Sequence, residues 1–290
     1  MAAGSVRWPL VEHRLIQGRR AMTGDTDQAV SVVVADNRPH FIDMVQAELE
    51  AAGYLAVRRA ENTTELREVL GRRDDGADLV IFDQALNGRD TFDVISELRQ
   101  SKLGPNPSAV IMLTAWETEP FVVRGAVEAG ADDLVPQPIS ASGLIKRMEY
   151  QLKFRGSFAR SARGDGQTES LRRRAFQMGF LVELLAPVIQ EGTLNMDMKS
   201  HLGLLAEVAE RAEDDMKGSK FESAAQLCAS MAKVAGSLST TEGEPSEKDR
   251  QLLEPLSKAV QRAVYPEEGQ EAAAGRIARA VDSYKTKSED

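Results

Sequence analysis

The sequence has little cysteine and no long hydrophobic run. Cys228 is the only cysteine among 290 residues, which excludes an internal disulfide framework and fits a reducing cytoplasm. No stretch approaches the roughly 20 apolar residues of a membrane-spanning helix. The first residues also lack the apolar segment of a signal peptide. We therefore expect a cytoplasmic protein with no membrane span.

Positive charge is also scarce. Lys and Arg number 36 against 45 Asp and Glu, for a net charge of −9, so the chain as a whole does not have the charge of a nucleic-acid binder. The one basic cluster, Arg172–Arg174, is interpreted as the solvated start of a helix. Residues 169–290 carry no helix-turn-helix signature. We do not expect nucleic acid as a partner, and a DNA-binding transcriptional regulator remains the last of three hypotheses.

Motifs of enzyme active sites are missing as well. The sequence has no glycine-rich phosphate loop, no His and Cys at metal-ligand spacing, and no Ser/His/Asp set in a plausible chain order. The protein is therefore not expected to be an enzyme. His201 is the only histidine after residue 168, and a lone helical histidine is interpreted as a surface or packing residue, with a phosphotransfer bundle as the alternative.

Four short apolar runs end on polar side chains in the first half of the chain. The strongest, Leu79–Phe82, ends on Asp83 and is too short to be judged a helix. The other three runs lead into Asp36, Thr114 and Gln137. Helix-like segments alternate with these runs, which predicts a parallel sheet covered on both faces. Because parallel strands share one carboxyl edge, we expect these side chains to form a site there.

The order of motifs in this half resembles the receiver domain of two-component response regulators. The motifs are Ala35–Pro39, Asp83–Asp90, Leu113–Ala115, and Ala129–Asp133 followed by Gln137-Pro138. The resemblance implies a flavodoxin-like, doubly wound sheet of five parallel strands in the order 2-1-3-4-5. It also implies a sensor histidine kinase or a phosphotransfer protein as partner.

The resemblance assigns roles to individual residues. Asp83 matches the phosphoacceptor, and Thr114 matches the hydroxyl that binds the phosphoryl oxygens. Mg²⁺ is the implied cofactor, because this hard cation prefers carboxylate and carbonyl oxygens. Its implied ligands are Asp36, Asn37, Asp83 and the carbonyl of Ala85.

Of the positions that depart from the family pattern, two bear on the chemistry of the site. Asn37 stands where most receivers have a second acid, and Gln137 stands where the family has a lysine that faces the phosphoryl group. Two hypotheses therefore remain open: an atypical response regulator phosphorylated on Asp83, and a non-phosphorylated pseudo-receiver that acts as a scaffold or adaptor.

The chain divides into four predicted regions. Residues 1–28 are expected to be a disordered extension, 29–154 the receiver-like domain, and 155–168 a linker rich in Gly, Ser and Arg. Residues 169–290 predict an all-α domain of four or five helices with apolar stripes, the last helix running from Glu267 to Tyr284. Such a domain is expected to bind a protein partner or to form a homodimer.

Overall fold

The computed structural model describes residues 30–72, 76–86, 90–159 and 166–264. The predicted extension at 1–28 and the predicted last helix at 267–284 lie outside the described residues. Within the described residues, no helix is both long and apolar enough to cross a membrane.

The first half contains a five-stranded parallel sheet. Its strands are β1 (Ser31–Ala35), β2 (Ala56–Ala60), β3 (Leu79–Asp83), β4 (Val110–Ala115) and β5 (Asp133–Pro136). Their order across the sheet is β2-β1-β3-β4-β5, and every neighbouring pair is parallel. The predicted flavodoxin-like fold is therefore confirmed.

Five helices cover the two faces of this sheet. They are α1 (Pro39–Ala51), α2 (Thr63–Leu70), α3 (Asp90–Arg99), α4 (Pro120–Ala129) and α5 (Ala141–Ala159). Helices α1 and α4 begin with proline. Proline is tolerated there because the N–H groups of a first turn have no acceptor within the helix, so its lack of an N–H costs no hydrogen bond. Gly130 ends α4 in the left-handed conformation, with φ of 95°, which glycine adopts without steric cost.

Side chains of each strand alternate between two apolar layers. Leu79 and Ile81 of β3 pack with α1 and α5, whereas Val80 and Phe82 pack with α2, α3 and α4. The alternation follows from the two-residue period of a strand. It explains why strands buried on both faces have almost continuously apolar sequences.

The second half is a helical bundle. Its helices are α6 (Gly166–Leu184), α7 (Ala186–Glu191), α8 (Met196–Met216), α9 (Glu222–Thr240), α10 (Glu247–Arg250) and α11 (Leu253–Val264). The four longer helices form a ring in which α6 contacts α8, α8 contacts α9, α9 contacts α11, and α11 returns to α6. The predicted all-α architecture is confirmed. Helices α5 and α6 also extend into the predicted linker, because α5 ends at Ala159 and α6 begins at Gly166.

The two halves share one hydrophobic core. Helix α6 lies against β5 and α8 against α4, and the apolar layer on the α2–α4 side of the sheet continues into the bundle. Arg124 of α4 donates two hydrogen bonds of 2.9 Å to the carboxylate of Glu207 on α8. The bundle is thus packed on the α4, β5 and α5 side of the receiver-like half.

The basic cluster at the start of α6 belongs to this packing. Arg173 approaches Asp132 at 3.5 Å, and Arg174 pairs with Asp215 while donating to the backbone oxygen of Arg211 at 2.8 Å. Arg172 is buried. The interpretation of Arg172–Arg174 as a solvated helix start is therefore wrong, because Arg172 is buried and Arg173 and Arg174 are paired with acidic side chains of other segments.

Gln177 of α6 caps the end of α4 from the other half of the protein. Its side-chain amide donates to the backbone oxygens of Val127 and Ala131 at 3.0 and 2.9 Å, and the side chain is almost fully buried. Replacing Gln177 with Leu should lower the free energy of unfolding by about 1 to 3 kcal/mol, since a buried carbonyl left without a donor carries its full desolvation cost. Urea unfolding measures the loss. The exposed Gln251→Leu is the control and should change stability by less than about 0.5 kcal/mol.

Candidate functional site

Four polar side chains meet at the carboxyl edge of the sheet. Asp36 follows β1, Asp83 ends β3, Thr114 lies directly opposite Asp83 on β4, and Gln137 follows β5. The exposed fractions of Asp36, Asp83 and Thr114 are 0%, 3% and 1%. Buried polar groups of this kind must be paired with each other. The structure thus brings together the residues that the strand ends had predicted to meet.

The Asp83 carboxylate accepts hydrogen bonds on both oxygens. The backbone N–H of Ala85 donates to Oδ1 at 2.8 Å. Oδ2 accepts from the Gln137 amide at 2.5 Å and from the Thr114 hydroxyl at 3.3 Å. Burial raises the pKa of Asp83 above its ordinary value, while the hydrogen bond from Ala85 acts in the opposite direction.

Arg38 completes the site, although the sequence pattern did not predict it as a site residue. Its guanidinium donates from Nε to Oδ1 of Asp36 at 2.8 Å and from Nη2 to Oδ2 of Asp36 at 2.7 Å. Nη2 also lies 3.4 Å from Oδ2 of Asp83 and 3.0 Å from Oε1 of Gln137. The hydrogen bond to Asp36 raises the pKa of Arg38, so this side chain stays positively charged.

Two aromatic rings hold the Arg38 guanidinium from the other sides. Its carbon Cζ lies 4.9 Å from the ring centre of Phe41 and 5.5 Å from that of Trp116, within the range of cation–π contacts. The Arg38 side chain is 27% exposed, so it forms the solvent side of the cluster above the buried carboxylates. The sequence signal for this role was weak: an arginine two residues after an acid, with a neutral Gln137 in place of a lysine.

Asn37 and Ala85 contribute differently from their predicted roles as metal ligands. Asn37 is exposed, and within the described residues its side chain takes no part in the hydrogen bonds of this cluster. Ala85 contributes its N–H to Asp83. Their roles in binding Mg²⁺ stay predictions.

His201 lies inside the protein. It is 1% exposed on α8, and burial lowers its pKa below the usual value. A histidine that relays phosphate between proteins must be accessible to its partner. The buried position agrees with the interpretation of His201 as a packing residue.

The family model described as the response regulator receiver domain matches residues 32–149. These residues are a receiver domain. The match covers β1 through most of α5, and the C-terminal half belongs to no recognised family.

Individual proteins are also similar to this part of the chain. The phosphate regulon transcriptional regulatory protein PhoB of Pseudomonas aeruginosa is 30% identical over 126 residues, which are 43% of this chain and 53% of PhoB. This chain therefore spans about half the length of that curated relative. Among solved structures, a CheY-like receiver domain protein of Methanospirillum hungatei matches at 16% identity, covering 45% of this chain and 98% of that one, with a TM-score of 0.40. The response regulator DrrB of Thermotoga maritima matches at 17% identity, covering 43% and 54%, with a TM-score of 0.38.

Proposed function

We propose that this protein is an atypical response regulator in which Asp83 accepts a phosphoryl group and thereby changes how the helical half is held. The observation that carries the proposal is the set of donors around the Asp83 carboxylate at the carboxyl edge of the sheet: the Ala85 N–H, the Thr114 hydroxyl and the Gln137 amide. In this proposal the protein is a signalling protein rather than an enzyme. Its partners are a sensor histidine kinase or a phosphotransfer protein, and a protein that binds the helical half.

The chemistry needs only a nucleophile and groups that stabilise charge. A carboxylate oxygen of Asp83 forms a bond to phosphorus while the bond from phosphorus to the donor's histidine nitrogen breaks, leaving an acyl phosphate. The transferred group spreads negative charge over its three outer oxygens. Thr114 and Gln137 can donate hydrogen bonds to those oxygens, and Arg38 adds positive charge in a largely water-excluded site, where such charge acts strongly.

Receiver domains typically bind Mg²⁺ beside the phosphorylated aspartate. Asp36 and Asp83 are oxygen donors of the right type. Both oxygens of Asp36 are bonded to Arg38, however, and the same guanidinium reaches Asp83. The side chains as arranged therefore do not fit a second cation between the two carboxylates, and no step of the proposed transfer is assigned to a metal.

A path of contacts runs from Asp83 to the helical half. Thr114 touches Asp83 and is followed by the loop into α4. Helix α4 is bound to the bundle through Arg124–Glu207 and through the cap that Gln177 places on its end. A phosphoryl group that draws the Thr114 hydroxyl toward itself would shift this loop and α4, and so bias the docking of the bundle.

Intact mass spectrometry tests the proposal on the full chain. After incubation with acetyl phosphate and Mg²⁺, the wild type should gain the mass of one phosphoryl group, and Asp83→Asn should gain none. Asp43→Asn, which removes an exposed carboxylate on α1, is the matched control and should gain the group as the wild type does. An unmodified wild type would favour the pseudo-receiver scaffold, whereas an equally modified Asp83→Asn would place the phosphate elsewhere.

DNA binding remains a second candidate because the matched relative PhoB is named a transcriptional regulatory protein. That name belongs to a protein of which this chain covers about half. Arg172 is buried, and Arg173 and Arg174 are paired with Asp132 and Asp215, so these charges are poorly placed for phosphate contacts. Retention on duplex DNA that falls steeply with rising salt would support this candidate.

A further inference from the structure

We propose that the Arg38 guanidinium is a built-in replacement for the divalent cation of this receiver, so that the site works without metal and excludes it. The positive charge lies between the two buried carboxylates, bonded to both oxygens of Asp36 and within 3.4 Å of Asp83. A cation bound by Asp36 and Asp83 would have to displace it.

Several contacts hold the Arg38 guanidinium in this position. The backbone N–H of Arg38 donates to Oδ1 of Asp36 at 2.8 Å, so main chain and side chain bind the same carboxylate. Phe41 and Trp116 hold the guanidinium against their rings. The bidentate pairing with a carboxylate is the geometry that gives arginine its strongest ionic contacts.

The neutral side chain of Gln137 is compatible with the Arg38 guanidinium beside it, whereas a positively charged side chain at position 137 would be repelled. Its oxygen accepts from Arg38 at 3.0 Å while its nitrogen donates to Asp83 at 2.5 Å. A positively charged side chain at position 137 would face the guanidinium within hydrogen-bond distance. The neutral amide of Gln137 instead bridges the Arg38 guanidinium and the Asp83 carboxylate, so Arg38 and Gln137 belong to one charge arrangement.

Metal binding tests this proposal directly. Mn²⁺ is titrated into metal-free full-length protein, and binding is measured as a decrease in the electron paramagnetic resonance signal of unbound Mn²⁺. Breaking even one charge-assisted hydrogen bond is worth roughly a factor of ten in an equilibrium constant. Arg38→Met should therefore bind one Mn²⁺ at least about tenfold more tightly than the wild type, and Mg²⁺ should displace the bound Mn²⁺ from that site. Adding Asp36→Asn should abolish the gain, and Arg59→Met, an arginine outside the site, should behave as the wild type.

Two outcomes of this titration would overturn the proposal. One is a wild type that binds Mn²⁺ as tightly as Arg38→Met does. The other is an Arg38→Met protein that is folded, as judged by circular dichroism, and binds Mn²⁺ no more tightly than the wild type. If Arg38→Met does not fold, the wild type and Arg38→Gln take its place. A wild type that binds Mn²⁺, and loses this binding on Asp36→Asn, contradicts the proposal. A wild type that binds no Mn²⁺, together with an Arg38→Gln protein that does, supports it.

A second measurement rests on the proposed function. With acetyl phosphate as donor, Asp83 bonds to phosphorus as the donor's P–O bond breaks and acetate leaves. The wild type should be modified equally with Mg²⁺ or with EDTA, whereas Arg38→Met should require Mg²⁺. A wild type that requires Mg²⁺ contradicts the role of Arg38. A wild type modified under neither condition contradicts the proposed function alone, and the Mn²⁺ titration then decides on Arg38.

Discussion

Replacing Asp132 with Ala should lower the free energy of unfolding by about 3 to 5 kcal/mol, because the change leaves a buried arginine without its counter-charge. Asp132 is fully buried, and its Oδ2 accepts from Arg99 and from the N–H of Ile111, both at 2.7 Å. The side chain of Arg99 is only 8% exposed, so water cannot replace the lost carboxylate. Urea unfolding monitored by circular dichroism measures the loss.

An exposed pair of the same type provides the control. Asp43 pairs with Arg59 at 2.8 Å, but both side chains are substantially exposed. Asp43→Ala should therefore cost no more than about 1 kcal/mol, as exposed ion pairs do. Asp132→Ala with a loss as small as the control would show that Arg99 is stabilised by its three bonds to backbone oxygens rather than by the carboxylate.

Much of the receiver half could be predicted because its signals are local. The strands that lead into Asp36, Asp83 and Thr114 are short apolar runs, and a run such as Leu79–Phe82 has too few residues for a helix. The order of Asp36, Asp83 and Thr114 along such strands also brings them to one edge, whichever side chains lie around them. The parallel sheet and the place of the buried acids therefore follow from the sequence pattern, whereas the strand order was expected from the resemblance to receiver domains.

Arg38 could not be predicted in the same way, because its role depends on where a long side chain folds back. An arginine two residues after an acid is equally compatible with a solvated loop. Its position is decided by contacts from distant parts of the chain, namely Asp83, Trp116 and Gln137. The same reason explains the error at Arg172–Arg174, whose partners Asp132 and Asp215 lie at least 40 residues away in the sequence.

The docking of the two halves was also invisible in the sequence. The apolar stripe of α6 predicts a buried helix face but does not say what covers it. In the structure, Phe176 of α6 packs edge-on against Tyr150 of α5, with ring centres 6.1 Å apart and planes at 86°. Phe176 also belongs to the apolar core that both halves share.

Replacing Phe176 with Ala should lower the free energy of unfolding by about 3 to 5 kcal/mol, the usual cost of removing a buried aromatic ring. The control is Phe121→Ala: Phe121 is 64% exposed on α4, so the loss should stay within about 0.5 kcal/mol. Urea unfolding compares the two variants. A Phe176→Ala protein as stable as Phe121→Ala would mean that the rings contribute little to holding the halves together.

Hydrogen exchange separates a loosened interface from a weakened bundle. Gln177 follows Phe176 directly and caps α4 through Val127 and Ala131, so loss of the ring should speed amide exchange in the last turn of α4 as well as in α6. Faster exchange in α6 alone would show that the defect stays inside the bundle. Because α4 follows the loop after Thr114, faster exchange at both helices would mean that the docked bundle restrains the helix that the proposed signal from Asp83 would move.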